Sequence, residues 1–324
     1  MMLQKSDYMK SKWSDLLGRK NDRIEERGAV AKDPSVGKSM ITPLVDISVV
    51  HVSGDDATAF LDSQLTSDIK NLADKKLTRS GYCNPKGRLI ATPYVFRDGA
   101  NFKLLLPYNL ASEFILRLSR FILRAKVKLA TDEEDATIGF ITTEGMQVLP
   151  EINPIAGSHI MPLNSMQAIL LCPFDSLEPL WDALTVTHTI CGDDLWRLET
   201  IRNGIVHITD ETKEQFLPQM INLDKGDGVS FTKGCYPGQE IVARTKYLGS
   251  VKRKLCQFKS NILLRAGTAI LNSSGATSGL VCDSAPSADK VDGYEGLAVV
   301  QSEHVHEQHF TTQNSGRIEE LKVL

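Results

Sequence analysis

Phe231-Thr232-Lys233-Gly234-Cys235-Tyr236-Pro237-Gly238-Gln239-Glu240 places one cysteine in a glycine-rich turn, two residues after a lysine. Upstream, Gly228-Val229-Ser230-Phe231 reads as a short strand and Lys233-Gly234 as a turn. Downstream, Pro237-Gly238 opens a helix predicted to run through Ile241, Val242 and Arg244. Cys235 is therefore expected just ahead of a helix N-terminus. Unsatisfied backbone N–H groups and the macrodipole favour a thiolate there, and the Lys233 ammonium pushes the same way. Cys235 is the candidate catalytic residue and Lys233 its candidate activator. On chemistry alone, a buried structural cysteine in a tight turn fits the same residues.

Charge gathers in the same region. Lys233, Arg244, Lys246, Lys252, Arg253 and Lys254 stand against Glu240 alone, in a chain whose net charge is -3. One reading is a site for an anion such as a polyglutamate tail or a phosphate backbone. The other is a solvated helix face with Glu240 and Arg244 paired at i, i+4. The remaining cysteines, Cys83, Cys172, Cys191, Cys256 and Cys282, have no comparable setting and form no C-x-x-C pair. Reduced thiols are expected, with Cys172, Cys256 and Cys282 packing as small apolar groups.

The 324 residues predict about two domains, and 42% hydrophobic with 24% charged residues is ordinary for a globular protein. No apolar run approaches the ~20 residues that a membrane helix needs. The N-terminus lacks a signal-peptide pattern, and Asp15, Asp22, Glu25 and Glu26 fit a transit peptide poorly, so the cytoplasm is expected and no membrane. The Walker A loop, G-x-G-x-x-G, H-E-x-x-H and G-x-S-x-G are all missing, which argues against NTPase, dinucleotide and hydrolase chemistry. His304-x-His306-x-x-His309 matches no common zinc spacing, and no metal site is expected.

Three segments are anticipated. Residues 1–40 read as a charged, loosely attached extension with a short helix from Ser6 to Arg23. Residues 41–250 mix strands and helices: a strand over Leu44–Val52, a helix capped by Gly54-Asp55-Asp56, strands Leu89–Phe96 and Phe102–Leu106 around the turn Arg97-Asp98-Gly99-Ala100, and a long helix over Ala111–Leu129. On that helix Arg117, Arg120 and Arg124 share a face, solvated or anion-binding. Residues 251–324 have the β-rich, turn-punctuated texture of a small barrel, ending in a polar edge or tail from Gln301.

Lys233-Gly234-Cys235-Tyr236-x-Gly238-Gln239-Glu240, followed by Ala243-Arg244, resembles the signature of the YgfZ folate-binding family, which is related to the glycine-cleavage T-protein, an aminomethyltransferase. Gln64-x-Thr66-x-Asp68, Asn84-Pro85-Lys86-Gly87-Arg88, Trp196, Arg202-Asn203-Gly204, Leu217-Pro218-Gln219 and Asn222-Leu223 match in order, over roughly residues 41–300. The resemblance implies an α+β fold: a ring-like arrangement of T-protein-like subdomains around a central channel, plus a C-terminal β-barrel. It implies tetrahydrofolate in that channel, no stably bound metal, iron–sulfur enzymes or assembly proteins as partners, and an indirect link to tRNA modification.

Cys235 is the residue on which function is expected to depend, with Gly234, Tyr236, Gly238, Gln239, Glu240 and Arg244 supporting it. Trp196 is the expected pterin wall and Arg202 a candidate for the glutamate tail. Ile47 falls near a tryptophan of the bacterial family member. Arg202 stands where the T-protein has a glutamate, which argues against aminomethyl transfer. The leading expectation is an accessory factor for iron–sulfur enzymes. The alternatives are a folate-dependent one-carbon transferase and a non-catalytic module that holds tRNA or a protein.

Overall fold

Short hydrophobic runs broken by glycine and proline give many strands and few long helices. The computed structural model describes residues 4–19, 39–132, 134–145, 157–249, 251–288, 293–307, 310–312 and 316–324. In chain order the elements begin with helix α1 (Gln4–Arg19), β1 (Ser39–Pro43), β2 (Ile47–Ser53) and α2 (Ala57–Gln64). Then come β3 (Leu77–Arg79), β4 (Tyr82–Cys83), β5 (Leu89–Ala91), β6 (Tyr94–Asp98), β7 (Asn101–Pro107) and α3 (Tyr108–Ser119). β8 (Lys128–Asp132), β9 (Asp135–Thr142), β10 (His159–Pro162) and β11 (Gln167–Pro173) precede α4 (Leu177–Thr187), β12 (Thr189–Ile190), α5 (Asp193–Arg202) and α6 (Gln239–Tyr247). The last six strands are β13 (Arg253–Ser260), β14 (Ala269–Leu271), β15 (Thr277–Pro286), β16 (Tyr294–Gln301), β17 (Phe310–Thr312) and β18 (Arg317–Val323).

The chain divides into two units that are discontinuous in sequence: residues 1–49 with 131–196, and residues 50–130 with 197–324. In the first unit, a five-stranded sheet runs in the order β10-β11-β9-β1-β12. Its centre, β9, is buried at every position, which suits an apolar strand covered on both faces. Helix α1 is part of this core rather than a loose extension. Trp13, Leu16 and Leu17 are almost fully buried, and Trp13 meets Trp181 of α4 edge-on at 5.3 Å. The apolar stripe is only three residues wide, at i, i+3 and i+4, and charged neighbours hide it in the composition.

The second unit holds a sheet of order β3-β6-β7-β2-β8, the pair β4-β5, and a closed barrel of order β13-β16-β15-β14-β17-β18. Cys256, Phe258, Ile270, Val281, Ala298, Val300, Phe310 and Ile318 fill the barrel core. The expected polar tail is a correction. Residues 310–312 and 317–323 supply β17 and β18, and β18 pairs with β13 to close the barrel. Closure needs only the inward positions Phe310 and Ile318 to be apolar, so the segment reads as polar. His304, just after β16, bonds Ser278 of the neighbouring β15 at 2.8 Å, while His309 lies outside the described residues.

Three further expectations change. The helix expected over Ala111–Leu129 ends at Ser119; Leu123 takes a positive φ, and Lys128–Asp132 is a strand. Arg117, Arg120 and Arg124 therefore do not share one helical face, and Arg117 pairs with Glu113 at 2.7 Å. The strand Leu89–Phe96 breaks at Thr92-Pro93, so β5 pairs with β4 while β6 pairs with β3 and β7. Leu44–Val52 turns at Val45-Asp46, between β1 and β2. No described helix is long and apolar enough to cross a membrane.

Candidate functional site

Of the six cysteines, Cys235 is exposed and the other five are buried. Burial pushes the thiols of Cys83, Cys172 and Cys191 up to about 12 and that of Cys256 to about 11, and it raises Cys282 further still. A thiolate is the reactive form, so these five are chemically quiet. Cys235 belongs to the second unit, as do all the residues that hold its loop.

The loop is not entered by a strand, contrary to the expectation for residues 228–231. Thr66, just after α2, holds that segment instead. Its hydroxyl donates to the Gly228 carbonyl at 2.5 Å and accepts from the Gly81 amide at 2.7 Å, while its own carbonyl accepts from the Ser230 amide at 2.8 Å. Leu223 packs where a Cβ on Gly81 or Gly228 would sit. A fully buried threonine thus joins three pieces of backbone, which is why the Gln64-x-Thr66-x-Asp68 block stays in register with the cysteine loop.

The Lys233 side chain packs against the end of α2. Its side chain is 2% exposed, and its ammonium donates to the carbonyls of Asp62, Leu65 and Ser67. The Asp62 carboxylate lies 3.1 Å away, and the Tyr236 ring centroid 5.7 Å away. These oxygens belong to the last turn of α2 and the residues beyond it, where carbonyls lack intrahelical partners and a cation is favoured. Burial lowers the Lys233 pKa, and the hydrogen bond and charge of Asp62 oppose that shift. All the ammonium's hydrogen-bond and ion-pair partners are on α2 and its exit, so the lysine fastens the loop there.

Tyr236, on the other side of the cysteine, is 6% exposed, and burial raises its phenol. Two residues on, Gly238 has φ +80°, and a Cβ there would lie 2.5 Å from the Asn84 carbonyl oxygen and 2.6 Å from the backbone of Gly87. Gly87 has φ +71° and packs back against Gly238 and Ile241. The Asn84-Pro85-Lys86-Gly87-Arg88 hairpin and the cysteine loop therefore touch backbone to backbone, which only glycine permits. The hairpin is held by the Asn84 side chain, which accepts from the amides of Lys86 and Arg88 at 2.9 and 3.0 Å.

Helix α6 begins at Gln239, with Gly238 as its cap, so Cys235 precedes the helix by a few residues, as expected from the sequence. Gln219 of the Leu217-Pro218-Gln219 block fixes the helix by donating to the Val242 carbonyl at 2.7 Å. Cys235 is the exposed apex of a loop anchored on both sides, and a Cβ on the adjacent Gly234 would meet nothing within 4 Å. Asp68, Asn71, Lys76, Asp227, Ser230 and Phe231 line a groove of about 650 Å³ that Cys235 itself does not line. Glu240 and Arg244 are exposed, and no ion pair joins them.

Of the residues named for folate, Ile47 and Trp196 lie in the first unit and Arg202 in the second. Ile47, half-buried, starts β2, and Trp196 is 9% exposed; both belong to the first unit. The indole lies over Gly139 of β9, where a Cβ would come within 2.7 Å of the ring, and beside Thr42 and Leu44. Trp196 is thus a core anchor of its unit. Arg202 is not free for a glutamate tail. It makes a two-pronged pair with Glu295, at 3.1 and 2.7 Å, and a third bond to Glu199 at 3.1 Å. The hydrogen bond to Glu295 is the main reason its pKa is raised.

Sequence reasoning did not single out Arg79, Tyr94 and His207. Arg79 Nε and Tyr94 Oη are buried without hydrogen-bond partners. Burial takes the His207 imidazole down to about 3. No local motif marks them, because β-pairing and chain crossing bring them together.

No family model matches the chain. It is 31% identical to the tRNA-modifying protein YgfZ of Edwardsiella ictaluri over 220 residues, which are 64% of this chain and 66% of that one. Its matched relatives carry the YgfZ name, and the chain spans about two thirds of the first one's length. The YgfZ protein of Aliivibrio fischeri, also called a tRNA-modifying protein, is 27% identical over 69% of this chain and 72% of its own length. An uncharacterized protein of Haemophilus influenzae is 29% identical over 86% of this chain and 94% of its own. Among solved structures, aminomethyltransferase T of the glycine cleavage system from Bartonella henselae aligns with a TM-score of 0.62 at 15% identity, covering 89% of this chain and 85% of that one. At that identity the likeness carries the fold: mixed α+β, T-protein-like, here with a closed six-stranded barrel.

Proposed function

We propose that this protein is a folate-dependent factor for tRNA modification that sustains iron–sulfur enzymes through the Cys235 thiol. The observation that carries the reading is the presentation of Cys235. It is the exposed cysteine of six, at the apex of a loop anchored by Lys233, Tyr236 and Gly238. Relatives named tRNA-modifying proteins and a T-protein-like fold support the same reading.

An exposed thiol on a fixed loop suits brief attack on, or ligation of, a group carried by another protein. In the proposed step Cys235 gives its proton to solvent, and its sulfur ligates an iron of a client's cluster, displacing a ligand without electron transfer. The cluster is cargo, carried in and taken away by the client protein. Tetrahydrofolate, when bound, supplies a carrier of one-carbon units and a mild reductant. The buried, unpartnered polar atoms of Arg79 and Tyr94 fit a polar, acid-bearing ligand of that kind.

The test is complementation of cells that lack this gene, with the methylthio-adenosine content of tRNA as readout. That modification needs a radical enzyme with an iron–sulfur cluster. Wild type should restore it and Cys235→Ala should not, at equal protein levels. Equal restoration by both would remove the thiol from the mechanism. No defect in the deletion would favour the one-carbon transferase that the fold also accommodates.

A further inference from the structure

Arg79 ends β3 and Tyr94 begins β6, and the two face each other directly in the antiparallel register. Their side chains are therefore cross-strand neighbours on one face of the sheet. The chain at Val206-His207 crosses beside them. Arg79 Nη2 donates to the Val206 carbonyl, and the His207 ring meets the Tyr94 ring edge-on at 5.6 Å. All of these residues lie in the second unit.

What the cluster lacks is an acid. No carboxylate lies within ion-pair distance of Arg79 among the described residues, and its Nε is buried without an acceptor. Tyr94 is 5% exposed, and its hydroxyl is likewise buried and unpartnered. Among the described residues no hydrogen bond reaches the His207 ring, which meets Tyr94 edge-on. Arg79 is half-buried with its Nε sealed from solvent, and a sealed donor beside a charge is tolerable only when it is met. Arg202 shows how this chain does that elsewhere, with Glu295 and Glu199 both in place. Around Arg79 no described carboxylate supplies the matching negative group.

We propose that Arg79, Tyr94 and His207 form an anion site that receives a carboxylate of a bound small molecule. The guanidinium Nε and the phenol donate to the carboxylate oxygens, and the neutral imidazole supplies a further N–H. This deepens the folate reading and rests on it for the ligand's identity: the carboxylate is one of the glutamate moiety, for which the sequence had nominated Arg202.

The full-length chain is titrated calorimetrically with three probes: 5-formyltetrahydrofolate, 6-methyltetrahydropterin, which has no carboxylate, and glutarate, which has no pterin. Wild type is compared with Arg79→Met and Tyr94→Phe, and each protein is also melted without ligand. Tyr94→Phe keeps the ring packing and removes one oxygen, so it guards against a variant that fails to fold. Wild type should bind 5-formyltetrahydrofolate. Both substitutions should weaken that binding, Arg79→Met by about 10- to 100-fold, the range for hydrogen bonds to a charged group. Affinity for the pterin should stay unchanged in both. Arg79→Met should melt no lower than wild type, because it removes an uncompensated buried charge.

Glutarate binding that Arg79→Met abolishes, with no binding of the folate, would keep the anion site and remove folate as its ligand. The proposal is overturned if the variants bind 5-formyltetrahydrofolate as tightly as wild type, or if wild type binds none of the three probes. It is also overturned if lost affinity comes with a matching fall in melting temperature, which would make the cluster structural.

Discussion

Replacing Lys233 with methionine removes the ammonium and keeps most of the aliphatic stem. Two effects oppose each other. The substitution relieves the desolvation that lowers the lysine's pKa. It also leaves the Asp62 carboxylate and the carbonyls of Asp62, Leu65 and Ser67 without their cation, at a site where the side chain is 2% exposed. Hydrogen bonds to a charged group contribute about 1.5–3 kcal/mol each, and breaking a buried pair by removing one partner costs about 3–5 kcal/mol. The orphaned oxygens win, so a loss of about 3–5 kcal/mol is expected. For a unit of this size, about 2–4 °C per kcal/mol gives a fall in melting temperature of about 6–20 °C. Lys233→Arg should recover less than half of it, since a planar fork cannot reach three carbonyls grouped around one nitrogen. Differential scanning calorimetry of the three proteins reads this directly. A shift under about 2 °C for Lys233→Met, roughly one kcal/mol, would refute the claim that the ammonium anchors the loop.

Gly238→Ala should cost more than the glycine's conformational freedom alone, because its Cβ would sit 2.5 Å from the Asn84 oxygen at φ +80°. A loss of about 2–4 kcal/mol in chemical denaturation is expected, and a loss below 1 would mean that the two loops are not in contact. His207 gives a pH dependence. Its folded pKa is about 3, against 6.5 ordinarily, so the unfolded chain takes up the proton first. This contribution is complete above about pH 6.5 and is lost as pH falls from there towards 3. Between pH 6.5 and 5 the half-buried ring should account for about 1–2 kcal/mol of lost stability. His207→Phe should flatten the stability profile in that window, and an unchanged slope would show that the ring titrates normally.

The motif around Cys235 was legible because each of its residues has a local task that sequence spacing reveals. A helix start after Pro237-Gly238 was expected, and the structure has it; the exposure of the Cys235 thiol, which the sequence left open between a reactive and a buried cysteine, is what the structure adds. The barrel was legible from its turns, and the shared signature blocks converge on the cysteine loop through Thr66, Gly87 and Gln219. The direction of Lys233 was not legible. Proximity of two residues in sequence suggested an ion near the thiol, but the free carbonyls at the end of α2 compete for the same ammonium and are better placed. The pairing of Arg202 was hidden for a similar reason: its acid partner Glu295 is 93 residues away, on a barrel strand. Arg79 and Tyr94 became neighbours through strand register alone. Trp13 and Phe310 each looked isolated among polar residues, yet each completes a core whose other members are remote in sequence.

The account turns on one cysteine being presented while five are withheld. Native protein treated with excess iodoacetamide at neutral pH, followed by intact mass and peptide mapping, measures this directly. The expected result is a single adduct on Cys235, with the other five appearing only on unfolding. Rapid modification of any second cysteine, or a Cys235 that stays unmodified until the protein unfolds, would contradict it.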